Sequence, residues 1–333
     1  MVLYFSSNWF SRSSLILTQE YTPAQGFSKI MTTSQAVIKT YSHSKRVECD
    51  ELIGSRSEVA HRNKLPAWIV QDPFIIRGYR KQQDSYTGCF QSLWSIHNET
   101  VNIWSHLGSG ILFSIVAAWT WSTFPTRRDG NEEAKRADLI AIQAYLLGAT
   151  VCCFFSASYH CLNCHSERVA QCSLKLDYLG IAINITSTCI SAAYFGIYDH
   201  PRIARAYMTA ILACGVAVFY SLLGSGVDGP SAAKFRSIVF IALGTSGFAP
   251  ILHAALSPAL TLDGFSLKHV VAQSAFYLIG TTVYVKRIPE KHWAGTFDVW
   301  GASHQIFHIL VNVAQIVHFF GLRRSLMQHY LRN

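Results

Sequence analysis

The first long apolar run of the chain reads NIWSHLGSGILFSIVAAWTWST and covers residues 102–123, with no Asp, Glu, Lys or Arg in it. An α-helix rises about 1.5 Å per residue, so about 20 residues cross a hydrocarbon core that is about 30 Å thick. The pattern predicts an all-α integral membrane protein, a bundle of seven transmembrane helices, because six further runs of similar length follow. They lie near residues 138–160, 173–195, 203–223, 235–256, 266–286 and 302–322.

The overall composition favours the same class of protein. Hydrophobic residues make up 50% of the 333 residues and charged residues only 14%, whereas an average soluble domain carries about 25% charged residues. The formal net charge is +9, but the basic residues are scattered, which argues against nucleic acid as a partner. The nine cysteines suggest no disulfide framework. Four of them lie inside apolar runs, where cysteine behaves as a small hydrophobe: Cys152, Cys153, Cys189 and Cys214.

Four segments divide the chain. Residues 1–65 are polar and rich in Ser and Thr, which predicts a disordered N-terminal tail, with a transit peptide as the alternative. Residues 66–101 mix aromatic and charged side chains and predict an amphipathic juxtamembrane segment at the membrane surface. The seven-helix membrane domain covers residues 102–322, and residues 323–333 form a short C-terminal tail. Lys and Arg near the spans are almost evenly divided between the two sides, so the charge rule does not settle the orientation.

Polar residues within the spans are expected to collect at one face of the membrane. Successive spans alternate in direction, so the end of the second span at His160 and the start of the third near Asp177 share a side with the start of the seventh near His304. This is the side on which the N-terminus lies. Polar residues inside a membrane are costly and usually mark function. The same reasoning places three further residues on that side: Tyr178, Arg236 and Tyr284.

A metal site is the simplest chemistry for this face. His304 and His308 are four residues apart on a helix, so both imidazoles project from one face, and Ser156 and His160 share that spacing. Alone, such a pair is a weak signal. A third histidine from another helix, His160, would leave one position open for water, the arrangement of catalytic zinc. Asp177 would then contact that water or orient a ligand.

Other motifs predicted at this face of the membrane have interpretations other than a metal site. The CLNCH segment, Cys161–His165, matches the C-x-x-C-H pattern of haem attachment but stands directly beside His160. A second metal site with cysteine ligands would need a second cysteine pair, which the sequence does not place nearby. Glu99 and His106 are interpreted as contacts between helices rather than as metal ligands.

Several blocks in a fixed order give the chain a resemblance to a known family. They read LPAWIVQDPFIIRGYR (65–80), SIHNETVNIWSH (95–106), SASYHCLNCHSE (156–167), KLDYLGI (175–181), RSIVFIALGTSG (236–247), VYVKRIPE (283–290) and ASHQIFHILV (302–311). The chain resembles the progestin and adiponectin receptor family, also called the haemolysin-III-related family, from about Leu65 to Leu322.

The resemblance implies an orientation and a ligand set. The N-terminus would be cytosolic and the C-terminus external. Zn²⁺ would be held by His160, His304 and His308, with a water near Asp177. A lipid or a free fatty acid would occupy the interior. Its contacts would be Tyr178, Arg236 and Tyr284.

Two classes of function follow from this reading. In the first, the protein is a zinc-dependent lipid amide hydrolase of the ceramidase type, in which Asp177 acts as the base, Ser156 donates to the oxyanion and Arg236 holds the released carboxylate. In the second, it is a membrane receptor, or a regulator of zinc or sterol homeostasis, with structural zinc and no required turnover. The expected partners are a membrane lipid, ceramide or fatty acid, and an extracellular protein ligand, at the plasma membrane or an endomembrane.

Overall fold

The computed structural model describes residues 59–123, 132–224, 238–240, 242–257, 260 and 265–332. Its membrane-type helices are numbered here in chain order. They are α1 (Thr100–Thr123), α2 (Glu132–Leu162), α3 (Glu167–Gly196), α4 (Pro201–Gly224), α5 (Ala249–Leu256), α6 (Leu267–Lys286) and α7 (Ser303–Arg332). Most of the predicted N-terminal tail, up to residue 58, lies outside the described residues.

Six stretches of helix in the described part of the chain are long and apolar enough to cross a membrane. They are Thr100–Thr123, Arg136–Leu162, Glu167–Gly196, Pro201–Leu222, Ile238–Leu256 and Ser303–His329. The stretch Ile238–Leu256 contains α5. The protein is therefore an all-α, multi-pass integral membrane protein, as the sequence predicted.

Helix α6 is long enough to cross but is not among these six. It carries Lys268, His269 and Gln273 in its first turns, and the side chain of Gln273 is buried in the bundle rather than turned outward. A seventh crossing therefore stays a prediction. The cytosolic position of the N-terminus does too, and protection in intact cells of a protease site placed before Leu65 is the measurement that decides it.

Several helices are longer than the apolar runs that revealed them. Helix α2 begins at Glu132 and α3 at Glu167, and α7 continues to Arg332, past the predicted end of the membrane domain at residue 322. Thirty residues of helix span about 45 Å, more than the hydrocarbon core requires. The sequence thus located the apolar part of each helix, and the helices continue beyond it into polar residues.

Close helix packing brings the second and third helices together. A Cβ atom added at Gly180 on α3 would lie 3.0 Å from the Cα atom of Cys152 on α2, so only glycine allows this approach. Ser156 lies one turn after Cys152, and Asp177 lies one turn before Gly180. The close contact therefore sets the spacing between these two polar residues.

The segment before α1 covers one end of the bundle. Its strands β1 (Val59–Ala60) and β2 (Tyr79–Arg80) form an antiparallel pair, and a short helix follows at Tyr86–Gln91. The Asp298 carboxylate, in the connection between α6 and α7, accepts hydrogen bonds from the backbone N–H groups of Ile76 and Arg77 at 2.8 and 3.1 Å. The segment is thus tied to the bundle. Its contact with the membrane surface stays a prediction.

Candidate metal centre

Three histidines meet where α2 ends and α7 begins. The Nε2 atom of His304 lies 3.2 Å from Nε2 of His160 and 3.1 Å from Nε2 of His308. One ligand nitrogen from each residue lies within 4.8 Å of the others. His160 and His308 are almost fully buried. The i, i+4 spacing on α7 supplies two of these imidazoles, and the last turn of α2 supplies the third.

The donor set suits a metal ion. Zinc–nitrogen bonds of about 2.0–2.1 Å in tetrahedral geometry place the ligand nitrogens about 3.3 Å apart, close to the two Nε2–Nε2 separations in this cluster. Three imidazoles leave one coordination position open. Within the described ranges, this is the group of His, Cys, Asp and Glu side chains that could hold a metal ion.

Glu99 fixes the orientation of one of the three imidazoles. Its Oε2 atom lies 2.8 Å from Nδ1 of His160. The same carboxylate accepts hydrogen bonds from the side-chain amides of Asn102 at 2.6 Å and Asn163 at 3.0 Å. We assign the proton of His160 to Nδ1, because a carboxylate can only accept there, and this leaves Nε2 free as a ligand.

The charge of Glu99 is stabilised by its surroundings. Burial alone would raise its pKa, but the neighbouring imidazole and the hydrogen bonds from His160 and Asn102 hold the pKa of Glu99 below its usual value. The sequence reading assigned Glu99 to contacts between helices. The structure shows such a contact, and the residue that Glu99 contacts is His160, a metal-ligand candidate. The available signal was an acidic residue in the SIHNET block just before the first span.

His106 is the fourth histidine of this region. Its ring stacks on that of His308, with the centroids 3.8 Å apart and the planes inclined by 18°. The side chain is buried. His106 therefore holds the plane of the His308 ring from α1, a contact between helices of the kind expected from the sequence, and it is made to a metal-ligand candidate.

Replacing Glu99 with glutamine is expected to weaken zinc binding by about 10–100-fold, because the neutral amide orients and polarises His160 less well than a carboxylate. Competition between the purified protein and a chelator of known affinity measures the change. Asp84→Asn is the matched control, since Asp84 is exposed and its carboxylate accepts hydrogen bonds from the side-chain amide of the nearby Gln82. An unchanged zinc affinity in Glu99→Gln would contradict the assigned role.

A large cavity adjoins the histidines. Its volume is about 820 Å³, within the range of about 300–1,000 Å³ typical of ligand sites. Apolar side chains such as Phe240, Phe248 and Leu278 form much of its wall. The cavity also brings together most of the residues that the sequence singled out, namely Ser156, Asp177, Tyr178, Tyr284, His304 and His308.

The predicted polar residues take distinct places in this cavity. Ser156 on α2 and Asp177 on α3 both line the cavity. The ring of Tyr284 meets that of His304 edge-on, with the centroids 4.9 Å apart. Tyr178 lies on the wall beside Asp177. Arg236, the fourth predicted lipid contact, lies outside the described residues.

The fold and the site together define a class: a multi-pass α-helical membrane protein with a buried three-histidine group that opens onto a large, mostly apolar cavity. A family model described as "Haemolysin-III related" matches residues 94–319. The chain belongs to this family, which confirms the resemblance noted in the sequence.

Named relatives support the assignment. The chain is similar to the "Adiponectin receptor protein" of Drosophila melanogaster, with 34% identity over 81% of this chain and 60% of the relative. It is similar to the "Progestin and adipoQ receptor-like protein 1" of Caenorhabditis elegans, with 34% identity over 80% of this chain and 61% of the relative. It is also similar to the "ADIPOR-like receptor IZH2" of Saccharomyces cerevisiae, with 32% identity over 79% of this chain and 82% of the relative. The chain thus spans about three fifths of the fly and nematode proteins.

Proposed function

We propose that the protein is a zinc-dependent hydrolase of lipid amides with ceramidase-like activity. The observation that carries the proposal is the shared cavity. Two of the three clustered histidines line it, together with a carboxylate at Asp177 and a hydroxyl at Ser156. A hydrolase needs a metal site, a proton acceptor and an apolar space for the acyl chain in one place, and these residues supply the components.

Zn²⁺ is the ion that fits the proposal best. Neutral imidazoles are common zinc ligands, and three protein ligands with one open position are typical of catalytic zinc. Such an ion, when bound, polarises a carbonyl and makes a nearby water more acidic at neutral pH. His160, His304 and His308 would hold it, and Glu99 would keep His160 in the tautomer that ligation requires.

Asp177 is proposed as the proton acceptor for the attacking water. Its carboxylate faces the same cavity as His304 and His308, and a positioned base of this kind typically contributes about 10²–10⁴-fold in rate. The proton would then pass to the amine as the amide bond breaks.

Ser156 is proposed to donate a hydrogen bond to the oxyanion, the role predicted from the sequence. Its hydroxyl has one proton to donate, and it lines the same cavity as Asp177, His304 and His308. In the proposal, Tyr178 and Tyr284 contact the polar part of the lipid, and Arg236 holds the carboxylate of the released fatty acid.

The test is turnover by the purified protein. Ceramides of several chain lengths, presented in mixed micelles, are expected to yield free sphingoid base and fatty acid. A chelator that strips zinc should abolish the release, and added zinc should restore it. No release from any ceramide or other lipid amide by zinc-loaded, folded protein would reject the hydrolase proposal.

A receptor with structural zinc is the second candidate. It is favoured by the names of the fly and yeast relatives, both of which contain the word receptor. In that case the partners would be an extracellular protein ligand and a resident lipid, and regulation of zinc or sterol homeostasis would be the output. Residence in the plasma membrane or in an endomembrane stays a prediction in either case.

A further inference from the structure

Three cysteines meet beside the metal centre, near the end of α2 that carries His160. Cys89 lies in the short helix Tyr86–Gln91, Cys161 in the last turn of α2, and Cys164 in the turn that follows. All three are buried. The Sγ atoms of Cys89 and Cys164 lie 3.7 Å apart, although the two residues are separated by 75 positions in the chain. The CLNCH motif, which lacked a cysteine partner in the sequence, thus gains one from the fold.

A buried cation lies next to these thiols. The Arg80 side chain is almost fully buried. Its guanidinium donates only to neutral acceptors: the Ser92 hydroxyl, the carbonyl oxygens of His160 and Cys161, and the Asn163 amide oxygen. In the described part of the chain no carboxylate lies within ion-pair distance of it. The Glu99 carboxylate approaches only through the Asn163 amide, which accepts from Arg80 and donates to Glu99. Among the described residues no anion touches the guanidinium directly, so this environment favours a negative group in contact with it.

The thiol of Cys164 can supply that charge. Its hydrogen bond with Cys89 lowers the pKa of Cys164, burial opposes this, and the positive charge of Arg80 lowers the pKa further. A thiolate is the reactive form of cysteine, and a second sulfur already lies in contact with it. By contrast, the three cysteines do not form a group whose sulfur atoms all lie within 4.8 Å, so a three-thiolate metal site is less well supported than a reactive pair.

We propose that Cys89 and Cys164 form a reversible disulfide that modifies the protein beside its metal centre. The oxidant is a small peroxide, since the sulfurs are buried. The Cys164 thiolate attacks one peroxide oxygen, the O–O bond breaks to give a sulfenic acid, and the departing oxygen leaves as water after taking up a proton. The Cys89 thiol then attacks the Cys164 sulfur, forms the S–S bond and releases a second water. In total, two thiols and one hydrogen peroxide give one disulfide and two waters.

The bond would close a loop that carries one of the three metal-ligand candidates and the carboxylate that orients it. The segment between Cys89 and Cys164 contains Glu99, α1 and the whole of α2, including His160. The sulfurs must approach from 3.7 Å to about 2.05 Å, a shift that side-chain rotation and a small movement of a six-residue helix can supply. Reduction by a dithiol would restore the pair.

The experiment uses full-length, zinc-loaded protein in detergent micelles. The protein is exposed to hydrogen peroxide, denatured, alkylated with one maleimide, reduced, and alkylated with a second maleimide of different mass. Cys89 and Cys164 are expected to carry the second label after oxidation and the first label without it. A dithiol added before denaturation should reverse the change.

Two variants serve as controls, and two test the pair. Cys172→Ser removes an exposed cysteine, and Cys161→Ser removes the third thiol of the cluster; both should still form the cross-link. In Cys89→Ser the disulfide should be absent, and a sulfenic-acid probe should label Cys164. In Cys164→Ser the probe should label neither position. Retention of the first label on Cys89 and Cys164 in oxidised native protein would overturn the proposal, and so would pairing of Cys161 with either cysteine instead.

Discussion

Replacing both His304 and His308 with alanine is expected to reduce bound zinc from about one ion per chain to almost none. The two substitutions leave His160 as the last imidazole of the cluster, and one nitrogen ligand cannot hold zinc against water and buffer. Metal analysis of protein purified without added chelator measures the change.

The control for this experiment is His292→Ala. His292 is exposed in the connection between α6 and α7 and packs only on the neighbouring Trp293 ring. It should keep the native zinc content. Elution as a single monodisperse peak would show that the double variant is folded. Native zinc content in folded His304→Ala, His308→Ala protein would eliminate the proposed centre.

Replacing Asp177 with asparagine is expected to reduce ceramide hydrolysis by about 10²–10⁴-fold while zinc stays bound. Asparagine fills nearly the same volume and keeps a polar side chain in the cavity, but it cannot take a proton from the attacking water. Asp177 is not one of the three clustered ligands, so any loss of zinc affinity should stay within about 10–100-fold. Rate and zinc content are measured on the same preparation.

Asp199→Asn is the matched substitution for this test. Asp199 is exposed in the turn between α3 and α4, away from the cavity, and its replacement should leave both readouts unchanged. Native turnover by Asp177→Asn would remove Asp177 from the role of base, even if the hydrolase proposal survived. A protein that signals normally with Asn at this position and shows no turnover in either form would favour the receptor with structural zinc.

The two proposals about the metal face fail in different ways. The zinc content of the double histidine variant tests whether the metal centre exists. The maleimide experiment tests whether Cys89 and Cys164 form a disulfide, and its result does not depend on lipid hydrolysis. Glu99 connects the two regions, since it bonds His160 directly and reaches Arg80 through Asn163. A change at the cysteines therefore has a short physical route to the metal ligands.

The sequence by itself determined the class of fold and the residues that could carry chemistry. Lipid admits only segments whose backbone groups are bonded internally, so apolar runs of about 20 residues had to be helices, and the run at 102–123 corresponds to Thr100–Thr123. The helical period also put His304 and His308 on one face. Counting the spans, which alternate in direction, predicted that His160 and Asp177 lie at the same face of the membrane.

Tertiary structure alone decided which residues are neighbours on that side. Hydrophobic patterns distinguish lipid from water but do not say which helices touch, so the contact of His160 with Glu99, 61 residues away, could not be read from spacing. The stacking of His106 on His308 and the meeting of Cys89 with Cys164 depend on the same packing. These contacts arise where helices pack against one another and where the segment before α1 covers the end of the bundle, and both are properties of the assembled fold.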